Sequence, residues 1–515
     1  MKSRTEYSIL NILTGIGGFA LNTIMGLICR IIFVRYLSAD YLGANGLFTN
    51  VISMLSLAEL GVGGAIVYSL YKPLAENDEK KIASLVKLYG KAYRIIGLVV
   101  GGIGLSLMPF LNIIIRTPPH IHESIYLLYA INLFNVASTY FFSYKSSLLV
   151  ASQRNYIVSG LNYFITVLQS IIQMIALVLF RNYLVYLLIQ TVGTFIYNIW
   201  VSKVAEKFFP YIKNKDIQPL SKAEITKITH NVRDLMVYKI SGLLVNSTDN
   251  ILITFFKGLS ITGIASNYTL LVNTLASLLN QIFNGLIASV GNHNAIEENE
   301  KKYELFRFLN LMNFWIFGWA SVGILFCSSD IVQFLFGKNY VLSIEIPLIM
   351  ALNFYTVGLQ NAVQTYKHTM GLFYYGRFIQ LFTGILNIIL SIILGQIWGL
   401  FGILIATLFA RLLTNIWYDP YAVFKYGFHI SPIKYLKTYI HYILVMIITT
   451  IACGITFKYI NLQVTFVMII IKMIICSLIS NVIFYLVFRN THEFTKLCEI
   501  VKKMTLFITN KLKIL

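Results

Sequence analysis

The stretch FIQLFTGILNIILSIILGQIWGLFGILIATLFA, Phe378–Ala410, contains no Asp, Glu, Lys or Arg. A helix crosses the hydrocarbon of a bilayer in about 20 apolar residues. The run is too long for one such span, and it breaks at Gln396-Ile397-Trp398-Gly399, which makes it two. Working outward, the same pattern fills the chain. Charge-free runs occur at Tyr7–Cys29, Ser124–Tyr144, Ile157–Phe180, Asn182–Ser202, Gly258–Ile296, Phe308–Ser329 and Ile346–Tyr366. Three further spans carry one charge each: Glu59 in the second, Asp249 in the seventh and Lys472 in the last. Fourteen helices are predicted, starting near 9, 42, 92, 122, 157, 182, 235, 260, 307, 342, 377, 397, 437 and 461. The runs are long and do not alternate, which excludes a β-barrel. The expected fold class is an all-α polytopic membrane protein.

Composition agrees. Of 515 residues, 57% are hydrophobic and 12% charged, against about a quarter charged in a soluble chain. Mean hydropathy is +0.72. Cys29, Cys327, Cys453, Cys476 and Cys498 have no paired spacing and read as small buried residues, with no metal or disulfide signal. The eight histidines are isolated, and no HExxH, GxSxG or P-loop occurs. No enzyme is expected, no cofactor is called for, and ATP hydrolysis within this chain is excluded as a power source. A membrane polymerase would carry a large external loop, and none is predicted.

Charge sets orientation. With the N-terminus inside, 30 of the 41 Lys and Arg fall in inner segments. Six are outside (Arg35, Arg116, Arg181, Lys257, Lys338, Lys458) and five within spans (Arg30, Lys145, Lys239, Arg411, Lys472). This is the positive-inside pattern of a multi-pass protein with both termini cytoplasmic. The net charge of +20 is spread over many inner loops rather than one stripe, so nucleic acid is not an expected partner. The first apolar run reads as a retained span, not a cleavable signal.

The halves repeat at an offset near 220. Leu42-Gly43 parallels Thr262-Gly263, Glu76–Lys81 parallels Glu297–Lys302, and Tyr144-Lys145 parallels Tyr366-Lys367. Arg154 parallels Arg377, and Asn198-Ile199-Trp200 parallels Asn415-Ile416-Trp417. Six spans per repeat preserve orientation, so the pair is related by an axis along the membrane normal. The expected domains are a six-helix bundle at 1–207, a cytoplasmic linker at 208–234 and a second, pseudo-symmetric bundle at 235–425. Helices 13 and 14 follow at 426–488, then a basic amphipathic tail at 489–515. In that tail Phe494, Leu497, Val501, Met504 and Ile508 recur at helical spacing beside lysines, which suits a helix lying on the anionic inner leaflet or a partly ordered tail.

Several segments then resemble one family: Arg35–Phe48 its first external loop, and Ser56-Leu57-Ala58-Glu59-Leu60-Gly61-Val62-Gly63 its second helix. Asn246–Asn250 with Ser266-Asn267-Tyr268 resemble helices seven and eight. Lys367–Tyr375, Asn387-Ile388-Ile389 and Trp417-Tyr418-Asp419-Pro420 resemble the tenth to twelfth. Together they are similar to bacterial polysaccharide repeat-unit flippases, the Wzx-like branch of the multidrug/oligosaccharidyl-lipid/polysaccharide superfamily. The resemblance implies a monomer in the bacterial cytoplasmic membrane. By alternating access it would move undecaprenyl-diphosphate-linked oligosaccharide outward, for capsule, O-antigen or exopolysaccharide assembly. A polymerase and chain-length machinery are the implied protein partners, and H+ or Na+ the implied coupling ions. A peptidoglycan lipid-precursor flippase or a small-molecule antiporter of the same superfamily is the alternative.

A charge at the centre of a span costs roughly 2.5–3.5 kcal/mol on insertion scales, so such residues should face the interior. Arg30 reads either as a phosphate contact, through its planar fork, or as an ion-pair partner of Glu59. Lys145, Lys239, Lys367 and Arg411 are further candidates for the diphosphate. Glu59 and Asp249 are candidates for ion coupling or polar tethers, and Arg154 and Arg377 for the inner mouth or topological anchoring. Lys472 is expected to snorkel or pair. Asn and Tyr in the spans (Asn132, Tyr140, Asn267, Tyr268, Asn353, Tyr355 among them) suit a sugar or interhelical hydrogen bonds.

Overall fold

Lipid offers no partner for an unpaired peptide group, so a chain this apolar must satisfy its backbone within helices. The computed structural model describes residues 4–59, 62–116, 119–214, 220–222, 224–226, 228–229, 248–372, 375–376, 378–458 and 463–499. Every regular element among them is helical. Lys239, Arg377, the tail beyond residue 499 and part of the expected linker lie outside the described residues. Among the described residues, eleven helices are long and apolar enough to cross a membrane. They are eleven of the fourteen expected spans. The second expected span is a broken helix, and Asp249–Ile296 covers the eighth and the end of the seventh.

The described residues form two compact units, Met1–Ser266 and Asn267–Leu515. In the first, α1 (Arg4–Tyr36) runs along α8 (Asn155–Phe180), and α8 packs on α9 (Tyr183–Phe208). α4 (Glu79–Leu107) packs on α6 (Ile125–Ser143), which also meets α9; a short α5 (Leu111–Ile114) ends the α4 span. α2 (Ala39–Leu55) stops at a 3-10 turn, Ser56–Glu59, and the helix resumes as α3 (Val62–Glu76). A one-turn helix, α7 (Ser146–Ala151), packs on α3. The third span starts at Glu79, well before the expected 92. Asp78 accepts the Lys81 amide at 3.0 Å and caps a helix that runs through charged residues before turning apolar.

Helix α10 (Asp249–Ile296) crosses the unit boundary and is interrupted at Gly258, whose φ of 81° suits glycine. The second unit continues with α11 (Asn299–Phe336), α12 (Glu345–Thr369), α13 (Ile379–Trp398), α14 (Leu400–Leu413) and α15 (Asn415–Ala422). α16 (Ile433–Lys458) and α17 (Phe466–Phe488) are helices 13 and 14; both pack on α11 and on each other. The contact is aromatic: Phe314 of α11 stacks on Tyr442 at 4.3 Å and meets Phe484 at 4.8 Å. Cys327, Cys453 and Cys476, far apart in sequence, gather with Val322 where these three helices meet. They are free thiols, as are buried Cys29 and exposed Cys498. The start of the tail is helical over 492–499, and there Phe494 and Leu497 pack on the second unit's core. Phe494 stacks on Trp315, with ring centroids 5.6 Å apart.

Helix starts keep the repeat. Glu79 has its counterpart at Asn299 and Ile125 at Glu345, both about 220 positions on. The turns match too. Gln153 (φ 65°) precedes the fifth span and Gly376 (φ 79°) the eleventh, while Arg181 (φ 49°) and Gly399 (φ 59°) end them.

One pair of related segments meets within the first unit. A Cβ on Gly43 would strike the carbonyl of Leu259, and a Cβ on Gly263 the carbonyl of Ala39. Each glycine lies four residues after the carbonyl that receives its counterpart, so the crossing is reciprocal. Gly43→Ala and Gly263→Ala should each destabilise the folded protein by about 1–3 kcal/mol. The double variant should lose less than the sum, because both Cβ atoms force apart the same two helices. Thermal unfolding of the purified protein in detergent measures this; full additivity would contradict the shared crossing.

Candidate functional site

The break at Ser56–Glu59 turns the Glu59 carboxylate out of a continuous helix and into a polar cavity of about 460 Å3. Tyr71, Tyr93, Ser143, Ser146 and Ser147 line it. Tyr93 donates to Glu59 at 3.3 Å and packs on Tyr140, ring centroids 6.0 Å apart. The ion pairs formed among the described residues do not include Arg30–Glu59. Arg30, half-buried in α1, donates instead to the Ser266 hydroxyl. A carboxylate beside hydroxyls can hold a proton or a small cation.

The other candidate cations meet different fates. Lys145 bonds Glu206 at 2.5 Å, and Glu206 also takes Lys213 at 2.8 Å. Arg154 lies over the Phe208 ring at 4.3 Å, held by a cation–π contact at the end of α9. Lys367 is buried on α12 and bonds Asp419 at 2.5 Å, with Gln364 donating to the other carboxylate oxygen at 2.7 Å. Asp419 is fully buried, so this lysine's charge is neutralised in place. Arg411 reaches Asn353 at 3.4 Å, which ties α14 to α12. Asp249 is the first residue of α10. Lys472 pairs with Asp330 at 2.5 Å.

The first-loop motif is a clasp. Asp40 accepts the His120 amide at 2.7 Å, Tyr41 donates to Glu123 at 2.5 Å, and Asn45 accepts from Tyr183 at 3.3 Å. Glu206, Lys213, Asp330 and the pairing role of Asp419 escaped the sequence reading, because nothing local links them to their partners.

The second unit holds an apolar groove of about 340 Å3. α11, α12, α14 and α16 build it, with Leu325, Leu352, Leu412, Tyr439, Met446 and Ile451 among its walls.

Solved membrane-protein structures share this fold. Superposition on "Lipid II flippase MurJ, inward closed conformation" gives a TM-score of 0.64 at 17% identity, covering 92% of this chain and 99% of that one. The Vibrio cholerae MATE transporter VcmN gives 0.52 at 11% identity, covering 81% of this chain and 97% of that one. An inward-facing multidrug resistance MATE transporter gives 0.51 at 14%, covering 76% and 91%. No family model and no curated protein matches the sequence. At these identities the likeness is one of fold.

Removing one partner from a buried ion pair strands the other charge, at a cost of about 3–5 kcal/mol. Asp419→Asn should therefore sharply lower the melting temperature, and adding Lys367→Met should recover much of the loss. A single variant as stable as the wild type would show that the pair carries little.

Proposed function

We propose that this protein is a flippase that carries an undecaprenyl-diphosphate-linked oligosaccharide repeat unit from the inner to the outer leaflet of the bacterial cytoplasmic membrane. The observation that carries this reading is the apolar groove of the second unit. One of its walls, Tyr439 to Ile451, belongs to α16, the thirteenth helix. The MATE transporter VcmN is covered almost completely by the match, yet about a fifth of this chain has no counterpart there. The lipid flippase accounts for 92% of it. A drug-sized cargo needs no long apolar track, whereas a polyprenyl chain does.

The headgroup imposes the other requirement. Two phosphates crossing a low-dielectric region need cations, because a bare charge there costs several kcal/mol. Arg30, whose planar fork matches phosphate oxygens, is the candidate for that need, while Lys367 is neutralised by a buried aspartate. An inside-negative potential favours outward movement of an anion by about 2.3 kcal/mol per charge per 100 mV. Glu59 in its hydroxyl-lined cavity is the candidate for added H+ or Na+ coupling, with Asp249 as the second. The fold of MurJ, named as a lipid II flippase, favours a second reading in which the cargo is a peptidoglycan precursor.

Proteoliposomes carrying fluorescent prenyl-diphosphate glycans test both readings. Arg30→Gln should slow flipping by about 10- to 100-fold, the worth of a charged hydrogen bond, with partial recovery in Arg30→Lys. Glu59→Gln should alter the response to an imposed pH or sodium gradient without abolishing potential-driven flipping. Parallel assays with an oligosaccharide repeat unit and with a peptidoglycan precursor separate the two cargoes. Normal flipping by Arg30→Gln would remove that residue from the headgroup path, and no flipping of either lipid by the wild type would sink the proposal.

A further inference from the structure

At the basic end of the first unit lies a cavity of about 870 Å3 whose rim is cationic. Lys87, Lys91 and Arg94 line it from α4, at spacings of four and three residues that place them on one helix face. Lys145 and Lys213 complete the rim from the end of α6 and the turn after α9. Glu206 offsets Lys145 and Lys213, but none of the ion pairs among the described residues takes up Lys87, Lys91 or Arg94. Like charges stacked along one helix face repel, so the arrangement calls for an anion.

The walls say what kind. Val86, Leu88, Ile212, Leu220 and Ile225 supply apolar surface beneath the cations. Lys81 pairs with Glu224 at 2.6 Å and straps the segment bearing Leu220 and Ile225 onto α4. That lysine holds the Glu224 carboxyl down to about 2, so the strap stays charged at any physiological pH. Immediately beyond Arg94, α4 turns Ile95, Leu98 and Val99 outward, 53%, 67% and 42% exposed, as a helix does on entering hydrocarbon. The cations therefore sit at the level where a leaflet carries its phosphates.

Cations retained only for topology would extend into water from separate loops. Here three elements converge on one walled space. We infer that this cavity is a docking site for the phosphate headgroup of a membrane lipid. Basic pockets at this depth suit such headgroups. A lipid diphosphate awaiting transport and an ordinary anionic phospholipid share the required chemistry. The inference does not depend on which glycan, if any, the protein moves.

The test uses the full-length protein in phosphatidylcholine nanodiscs. Binding of undecaprenyl diphosphate, phosphatidylglycerol and inorganic pyrophosphate is measured by native mass spectrometry and by titration at two salt concentrations. The variant K87Q/K91Q/R94Q removes the stripe, and K87R/K91R/R94K keeps the charge while changing every side chain. Each basic residue at an anionic surface contributes about a factor of five, so the glutamine variant should bind the preferred lipid about 100-fold more weakly. The charge-retaining variant should bind nearly as the wild type does, and rising salt should weaken both. Tighter binding of the prenyl diphosphate than of phosphatidylglycerol assigns the site to cargo; equal or reversed order assigns it to bulk lipid. Unchanged lipid binding in a folded glutamine variant would overturn the inference. So would pyrophosphate binding as tightly as either lipid, or loss of binding in the charge-retaining variant. Flipping need not be measured, so failure here leaves the cargo assignment untouched, and failure there leaves this site standing.

Discussion

A charge taken out of water must find its partner within the protein, and this requirement organises the molecule more than any single packing contact. Lys145 finds Glu206, Lys367 finds Asp419 and Lys472 finds Asp330, each at 2.5 Å. Every one of these pairs joins segments far apart in the chain, so each also fixes which elements are neighbours. Where a charge is met by something weaker, as Glu59 is by the Tyr93 hydroxyl, the residue retains chemistry to offer a ligand. The candidate site is thus distinguished from the scaffold by what its charged groups touch, not by their presence.

The helices were legible because the hydrophobic requirement is local: about 20 apolar residues declare a span wherever they occur. Starts at Ile125, Asn155, Tyr183, Glu345, Ile379 and Leu400 fall within about three residues of expectation. Glu79 and Asn299 do not, because a helix can continue through charged residues that hydropathy assigns to a loop. The partners of the buried cations were illegible for the opposite reason. Glu206, Asp419 and Asp330 lie 61, 52 and 142 positions from the lysines they neutralise, and no periodicity connects them. The three gathered cysteines were hidden in the same way. The α4 stripe, by contrast, was present in sequence as Lys87, Lys91 and Arg94 at helical spacing. Only the walls contributed by Ile212, Leu220 and Ile225 turn it from a charged face into a cavity.

The two units differ in chemical character. The first holds Arg30, the Glu59 cavity and the cationic rim; the second holds the apolar groove and the aromatic seam that docks α16 and α17. A polar head and a long tail differ so strongly in their solvation that one surface cannot serve both.

The crossing of Gly43 and Gly263 has a further meaning. Each segment presents the same small residue to the same backbone atom of the other, so the contact is isologous, the kind that two identical chains make about a two-fold axis. A contact of this type needs no second invention: any sequence that contains it once can form it with a copy of itself. A half-length chain bearing the Ala39–Gly43 segment would already possess a self-complementary seam. Fusing two such chains would preserve the seam while freeing every other position to diverge, which is the condition under which one half can specialise for charge and the other for grease.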